Sequence, residues 1–180
     1  MNVCVFCGSS LGNNTIYQEA TRSFAQALLK ANCSLVYGGG NIGLMGILAD
    51  EVMASGGQVI GVIPDFLMQK EVGHRGLSQL EIVKSMHERK KRMADLSDAF
   101  VALPGGWGTL DELAEILTWK QLGLISKPVG LLNINSYFSS LADQMHKMVE
   151  DGFLEKEHLD SFIIEKIPQK LLVNLGIPSV

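Results

Sequence analysis

Short β-rich runs alternate with helical stretches along the whole chain, and this alternation most strongly limits the folds open to it. Strands are predicted at residues 2–7, 34–37, 58–63, 81–84, 99–103, 129–132 and 162–167. Helices are predicted at about 15–31, 85–97, 109–122, 137–150 and 168–175, and a further helix follows the glycines at 38–40 and runs to about 54. Residues 64–80 are predicted to be irregular. Such alternation predicts a parallel sheet with helices on both faces.

We therefore expect one Rossmann-like, doubly wound α/β domain over residues 1–180, a usual length for one domain. A formal net charge of -4 without a basic tract argues against nucleic acid as a partner. The start of the chain has neither a basic region nor a small-residue cleavage site, and apolar runs are too short to cross a bilayer. We expect a cytoplasmic protein without a membrane partner.

The cysteines are three in number, Cys4, Cys7 and Cys33, and we expect free thiols. Cys4 and Cys7 form a C-x-x-C, which could indicate redox chemistry or a metal site. The pair falls in a predicted strand, however, where residues three apart point to opposite faces, and a second such pair is missing. We favour a structural role, and because the four histidines lack ligand spacing we expect no metal.

Ligands of open α/β sheets bind beyond the carboxyl ends of the strands, so the turns that follow the strands are the most informative. The first predicted strand leads into Gly8, Ser9 and Ser10, whose N–H groups and hydroxyls suit a phosphate. The second leads into 38–46, which includes Gly39 and Gly40 and contains G-x-G-x-x-G. That spacing fits a dinucleotide site, but it follows the second strand, so we favour phosphate or ribose packing over NAD.

A third turn, 104–112, ends the strand at 99–103 with Pro-Gly-Gly and then opens a helix. The dipole of that helix would favour an anion. Thr109 and Glu112 fit a capping box, with Thr109 as N-cap and both Asp111 and Glu112 in the first turn. For Glu112, a capping role and a chemical role are equally open.

A fourth feature is the cationic start of the helix at 85–97. Ser85 and Glu88 fit a capping box, and Arg89 and Lys90 come early in the helix, where cations oppose its dipole. A ligand phosphate, or a carboxylate such as Glu112, would relieve that tension. The alternative is a solvated basic face.

These segments together resemble the Lonely Guy (LOG) family. Residues 104–112 match its P-G-G-x-G-T-x-x-E motif, and 86–90, Met-His-Glu-Arg-Lys, match its second signature. The turns at 7–10 and 38–46 and the segment 117–123 are also similar to the family's, so the resemblance covers nearly the whole chain. It implies a phosphoribohydrolase that converts cytokinin riboside 5′-monophosphates, or AMP, to free base and ribose 5-phosphate. It also implies a homodimer in which the partner helps to build the site.

Carried over position by position, the resemblance implies that Arg89 and Glu112 are the catalytic pair. The implied nucleotide contacts are Gly8, Ser9, Ser10, Gly39, Gly40, Arg89, Lys90, Gly105, Gly106, Trp107, Gly108, Thr109, Leu110, Asp111 and Thr118. Gln79 stands where some members carry a ligand-contacting Glu, which affects base or ribose contacts. Members are often labelled lysine decarboxylases, but the sequence offers no case for a pyridoxal phosphate lysine, and we expect no cofactor.

Cleavage of an N-glycosidic bond creates an oxocarbenium-like ribose, which a carboxylate such as Glu112 can stabilise. Arg89 would keep Glu112 ionised. Two other functions remain open at this point. One is a nucleotide-binding or sensing module without turnover, and the other is an NAD(P)-dependent oxidoreductase that uses the loop at 38–43.

Overall fold

The computed structural model describes residues 1–71, 73–74 and 76–178. Its strands are β1 (Asn2–Phe6), β2 (Ser34–Tyr37), β3 (Val59–Pro64), β4 (Gln79–Val83), β5 (Ala99–Ala102), β6 (Val129–Leu132) and β7 (Phe162–Glu165). Its α-helices are α1 (Ile16–Lys30), α2 (Gly43–Ala54), α3 (Asp65–Glu71), α4 (Met86–Leu96), α5 (Trp107–Gln121), α6 (Ser139–Glu150), α7 (Lys156–Leu159) and α8 (Pro168–Asn174). A short 3-10 turn, Ile134–Ser136, precedes α6.

The strands form one parallel sheet in the order β4-β3-β2-β1-β5-β6-β7. The chain builds outward from β1 to β4, then returns to the other side of β1 and builds outward to β7. This confirms the doubly wound α/β fold predicted from the alternation. The order reverses between β1 and β5, and the crevice at their carboxyl ends is where such sheets bind ligands.

Apolar strands bury both faces of the sheet. All four residues of β5 are buried, as are all but the first residue of β1 and β2. One face packs under α1, α2 and α8, and the other under α4 and α5. Cys4 belongs to one of these two clusters and Cys7 to the other, as predicted for residues three apart near a strand.

Several boundaries differ from the predictions. Residues 64–80 were expected to be irregular but contain α3 and the start of β4, and α7 was not foreseen. The helix expected at Thr109 begins at Trp107. Among the residues that the structure describes, none of the helices is both long and apolar enough to cross a bilayer.

Candidate active site

Three loops meet at the carboxyl ends of β1 and β5. The Gly8 N–H donates to the Pro104 carbonyl (3.1 Å), which ties the β1 turn to the β5 turn. Gly43 has a φ of +62°, and a Cβ there would stand 2.2 Å from the Ser9 carbonyl carbon. Glycine is therefore required where α2 approaches the β1 turn.

The N-terminus of α2 is closed by the protein itself. The Leu44 and Met45 N–H groups both donate to the Gly8 carbonyl, at 3.0 and 3.3 Å. Leu44 N–H also lies 3.3 Å from the Ser10 carbonyl. A dinucleotide phosphate would need these N–H groups. The G-x-G-x-x-G spacing at 38–43 therefore supports packing of the β1 turn rather than an NAD site.

The N-terminus of α5 is open. Its N-cap is Gly106, which has no side chain to accept from the first-turn N–H groups. The expected capping box of Thr109 and Glu112 is therefore wrong, because Thr109 lies inside the first turn and is 3% exposed. Its hydroxyl packs so tightly on Gly105 that a Cβ at Gly105 would stand 2.1 Å from Oγ1. The missing side-chain cap and the helix dipole both favour an anion at this end of α5.

A cavity of about 140 Å³, the small cavity, opens between this helix end, the β1 turn and α4. Its lining residues are Cys7, Gly8, Ser9, Met45, Arg89, Gly106, Trp107, Gly108, Thr109 and Glu112. Eight of the sixteen predicted site residues therefore meet in one place. Trp107 stands at the rim with 87% of its surface exposed.

Arg89 and Glu112 face each other inside the small cavity. Their side chains are 8% and 10% exposed, and Arg89 Nη2 lies 3.7 Å from Glu112 Oε1. Two backbone carbonyls also hold the guanidinium, because Nε donates to the Val62 carbonyl and Nη2 to the Gly38 carbonyl, both at 3.2 Å. A fixed positive charge therefore lies beside the Glu112 carboxylate.

The thiol of Cys7 completes the buried wall of the small cavity. Burial raises its pKa far above the ordinary value, and the neighbouring Glu112 carboxylate raises it further. Cys7 is therefore a neutral thiol at physiological pH, which is a poor nucleophile and a poor metal ligand. This agrees with a structural role for the C-x-x-C.

Lys90 lies outside the small cavity, between α4 and α5. Its Nζ lies 3.0 Å from Asp111 Oδ2 and 3.1 Å from Glu115 Oε2. Burial alone would lower the pKa of Lys90, but the hydrogen bonds to the two carboxylates outweigh it, and the pKa is raised. Lys90 thus joins the helices that carry Arg89 and Glu112.

Ser85 caps α4, as predicted, since its hydroxyl accepts from the Glu88 N–H at 3.1 Å. The Glu88 carboxylate reaches one residue further back than a capping box requires and accepts from the Lys84 N–H at 2.8 Å. The cap fixes the first turn of α4, from which Arg89 enters the core.

A second cavity of about 270 Å³, the tyrosine cavity, shares Gly8, Ser9 and Gly106 with the small cavity. Its other lining residues are Ser10, Gly12, Tyr17, Leu44, Pro104, Gly105 and Tyr137. The two tyrosine rings meet edge to face at 5.8 Å, and the Tyr137 hydroxyl donates to the Gly105 carbonyl. Tyr137 follows the carboxyl end of β6, where the strand-end rule could have found it.

The remaining predicted residues lie around these cavities. Gly39 and Gly40 are buried behind Arg89, and Leu110 is half-buried on α5. Thr118 is exposed, lines neither cavity, and donates its hydroxyl hydrogen to the Ala114 carbonyl. One group of possible metal ligands, Glu155, Glu157 and His158, lies around α7 and outside both cavities.

The chain matches known proteins along most of its length. The family model described as possible lysine decarboxylase matches residues 45–175. Two relatives from Arabidopsis thaliana are named cytokinin riboside 5′-monophosphate phosphoribohydrolases. One is 51% identical over 152 residues, 84% of this chain and 71% of the relative. The other is 46% identical over 173 residues, 96% of this chain and 76% of the relative.

Solved structures share the fold at much lower identity. The molybdenum cofactor carrier protein of Chlamydomonas reinhardtii has a TM-score of 0.71 at 18% identity, over 97% of this chain and 94% of that one. The molybdenum cofactor binding protein of Rippkaea orientalis has a TM-score of 0.69 at 18% identity, over 97% and 93%. At this identity the likeness concerns the fold alone. The sequence relatives and the family model show that this chain belongs to the LOG family.

Proposed function

We propose that this protein hydrolyses the N-glycosidic bond of cytokinin riboside 5′-monophosphates, and of AMP, to free base and ribose 5-phosphate. The observation that carries this proposal is the buried pair of Arg89 and Glu112 in the cavity at the open end of α5. The names of the relatives, cytokinin riboside 5′-monophosphate phosphoribohydrolases, support the same reaction and substrate class.

The 5′-phosphate binds at the first turn of α5. The N–H groups of Trp107, Gly108 and Thr109 lack acceptors within the helix, and the dipole adds partial positive charge there. Ser9 lies on the opposite wall of the small cavity and offers a hydroxyl. We therefore expect the ribose to lie between the helix end and Glu112.

Glu112 stabilises positive charge on the ribose as the glycosidic bond breaks, and it orients or deprotonates the attacking water. Arg89 keeps Glu112 ionised and in place from 3.7 Å. Asp111 is the other carboxylate near this helix end, but it pairs with Lys90 and does not line the small cavity. The proposed mechanism therefore gives Asp111 no proton-transfer role.

Trp107 provides the apolar surface for the base. Its indole is 87% exposed at the rim of the small cavity, so a planar base can stack on it without displacing other side chains.

We further propose that residues 1–180 work as a single domain, because one sheet joins every segment that contributes to the site.

We also propose that the protein is a homodimer. Two large apolar side chains of the turn after α5 are exposed, Leu122 at 65% and Leu124 at 68%. Light scattering should therefore give about twice the mass of 19.6 kDa.

A cytoplasmic location fits the three free, buried cysteines, since thiols stay reduced there.

The decisive experiment measures base release from AMP and from isopentenyladenosine 5′-monophosphate by chromatography. Glu112→Gln keeps the size of the side chain but removes its charge, so kcat should fall by roughly 10²–10⁴-fold, the usual contribution of a positioned acid or base. Glu157→Gln makes the same change on the exposed surface of α7 and should keep the wild-type rate.

Absence of base release from both nucleotides by folded wild-type protein would contradict the proposal. Calorimetric binding of AMP without turnover would then favour a nucleotide-binding or sensing module. Equal loss of activity in Glu112→Gln and Glu157→Gln would show that the small cavity is not the catalytic centre.

A further inference from the structure

We propose that His74 is a positioning residue that fastens the Gly39–Gly40 turn to α2 and so fixes the carbonyl group that orients Arg89. The inference rests on the proposed function, because the position of Arg89 matters through its effect on Glu112. His74 lines neither the small cavity nor the tyrosine cavity, and its proposed influence is carried by the backbone between it and the site.

The backbone of residues 73–74, the strap, lies against the turn that follows β2. Gly73 forms an antiparallel bridge with Gly40, and the His74 N–H donates to the Gly39 carbonyl at 3.1 Å. A Cβ on Gly73 would stand 2.1 Å from the sulfur of Met68 on α3, so the strap packs closely against this side chain. The strap is therefore packed from one side and hydrogen-bonded on the other.

The imidazole of His74 anchors the strap to α2. The residue is 8% exposed, and its Nε2 lies 2.9 Å from Asp50 Oδ1. Its Nδ1 accepts from the Gly76 N–H at 3.2 Å. Because Nδ1 acts as an acceptor, the ring proton is on Nε2, which donates to Asp50. Both ring nitrogens are thus used, and the strap cannot move without breaking one of these bonds.

Gly38, which directly precedes the Gly39–Gly40 turn, contacts Arg89. The Gly38 carbonyl accepts from Arg89 Nη2 at 3.2 Å, and the same nitrogen lies 3.7 Å from Glu112. A Cβ on Gly38 would stand 1.8 Å from that nitrogen, which shows how closely the turn and the guanidinium fit. A shift of the 38–40 turn would therefore change the direction in which Nη2 points.

The hydrogen bond between His74 and Asp50, the anchor, can be removed at Asp50 without disturbing the hydrophobic core, because the Asp50 carboxylate is 64% exposed. A hydrogen bond to so exposed a carboxylate contributes little to global stability. Loss of the anchor should instead loosen the strap locally, and this separates a positioning role from a purely structural one.

Four variants test the anchor. His74→Asn retains an acceptor near Nδ1 for Gly76 but cannot reach Asp50, and Asp50→Ala removes the acceptor on α2. His74→Gln can still donate to Asp50. We expect kcat to fall about tenfold or more in the first two variants, as for other small displacements of catalytic groups, while His74→Gln stays within about threefold of wild type. His146→Gln, an exposed histidine on α6, is the control.

A double-mutant cycle tests whether the effect passes through Arg89. If it does, His74→Asn should lower kcat in the wild type but change it little in an Arg89→Lys background. Additive losses would overturn the proposal. So would equal activities of His74→Asn and His74→Gln, or a lower melting temperature with unchanged kcat.

A readout without turnover separates this inference from the proposed function. The Nε–H of Arg89 is held by the Val62 carbonyl, and its exchange with solvent can be followed by ¹⁵N NMR, with Arg89→Lys identifying the signal. Exchange should be slow in the wild type and at least about tenfold faster in His74→Asn. Unchanged exchange would overturn the positioning role, whether or not the protein releases a base from AMP.

Discussion

Replacement of Gly38 by alanine should displace Arg89 without straining the backbone. Gly38 lies outside the left-handed region of φ, so alanine is tolerated locally. The new Cβ would stand 1.8 Å from Arg89 Nη2, whereas ordinary contact begins at 3.4 Å, so the guanidinium must move by about 1.6 Å. Because a misplacement of about 1 Å can cost 10²-fold in rate, we expect kcat to fall by roughly 100-fold.

The variant should also lose some stability, but not enough to unfold it. A weakened hydrogen bond from a charged donor costs about 1.5–3 kcal/mol, or a decrease of roughly 3–12 °C in Tm for a chain of this size. The variant should therefore remain folded at 25 °C, where base release from saturating AMP is measured beside Arg89→Lys. A folded Gly38→Ala protein with kcat within about twofold of wild type would refute the claim that the position of this guanidinium controls the reaction.

Two further predictions concern contacts around the site. Tyr137→Phe removes the hydroxyl that donates to the Gly105 carbonyl. The loss of about 1 kcal/mol should lower Tm by roughly 2–4 °C, and an unchanged Tm in thermal melts would exclude this contribution to stability. The raised pKa of Lys90 stabilises the fold below its ordinary value of 10.5, and this contribution is lost as the pH rises through the higher folded pKa. Lys90→Met should therefore melt below wild type at neutral pH, with the gap closing above pH 10.5; a gap independent of pH would contradict this.

The fold class followed from the sequence because the period of apolar residues changes repeatedly between strand and helix. Glycine-rich turns after the first, second and fifth strands also predicted where a site should lie, and the structure joins the first and fifth of these turns. The order of the strands depends on long-range packing that these local patterns do not record. For that reason Tyr137, which follows β6, was not connected with Tyr17 of α1 before the fold was known.

The start of α5 shows how packing overrides a local signal. Thr109 and Glu112 have the spacing of a capping box, yet the helix begins two residues before Thr109. The hydroxyl of Thr109 is buried against Gly105, and Glu112 points toward Arg89 instead of back to the helix end. An interaction with a distant helix thus decided the conformation, and this conflict between local and global preference is typical of functional sites.

The cation at the start of α4 predicted a tertiary contact more reliably than the capping-box spacing did. Arg89 opposes the dipole of its own helix, and this tension predicted a nearby anion. In the structure the anion is Glu112, at 3.7 Å and on another helix. The sequence offered a ligand phosphate as an equal alternative, and the two could be separated only after α4 and α5 were placed on the same face of the sheet.

The two glycine-rich turns after β2 and β5 look alike in sequence but have opposite roles. At α2 the Gly8 carbonyl occupies the N–H groups that a phosphate would need, so the helix end holds the β1 turn in place. At α5 the N-cap is Gly106, and the first turn remains open. An anion would therefore be favoured at α5 rather than at α2, and Glu112 lines the cavity at that end of α5. In the proposed mechanism one helix thus serves both the phosphate and the scissile bond of a nucleotide, and the closed end of α2 fixes the wall that faces it.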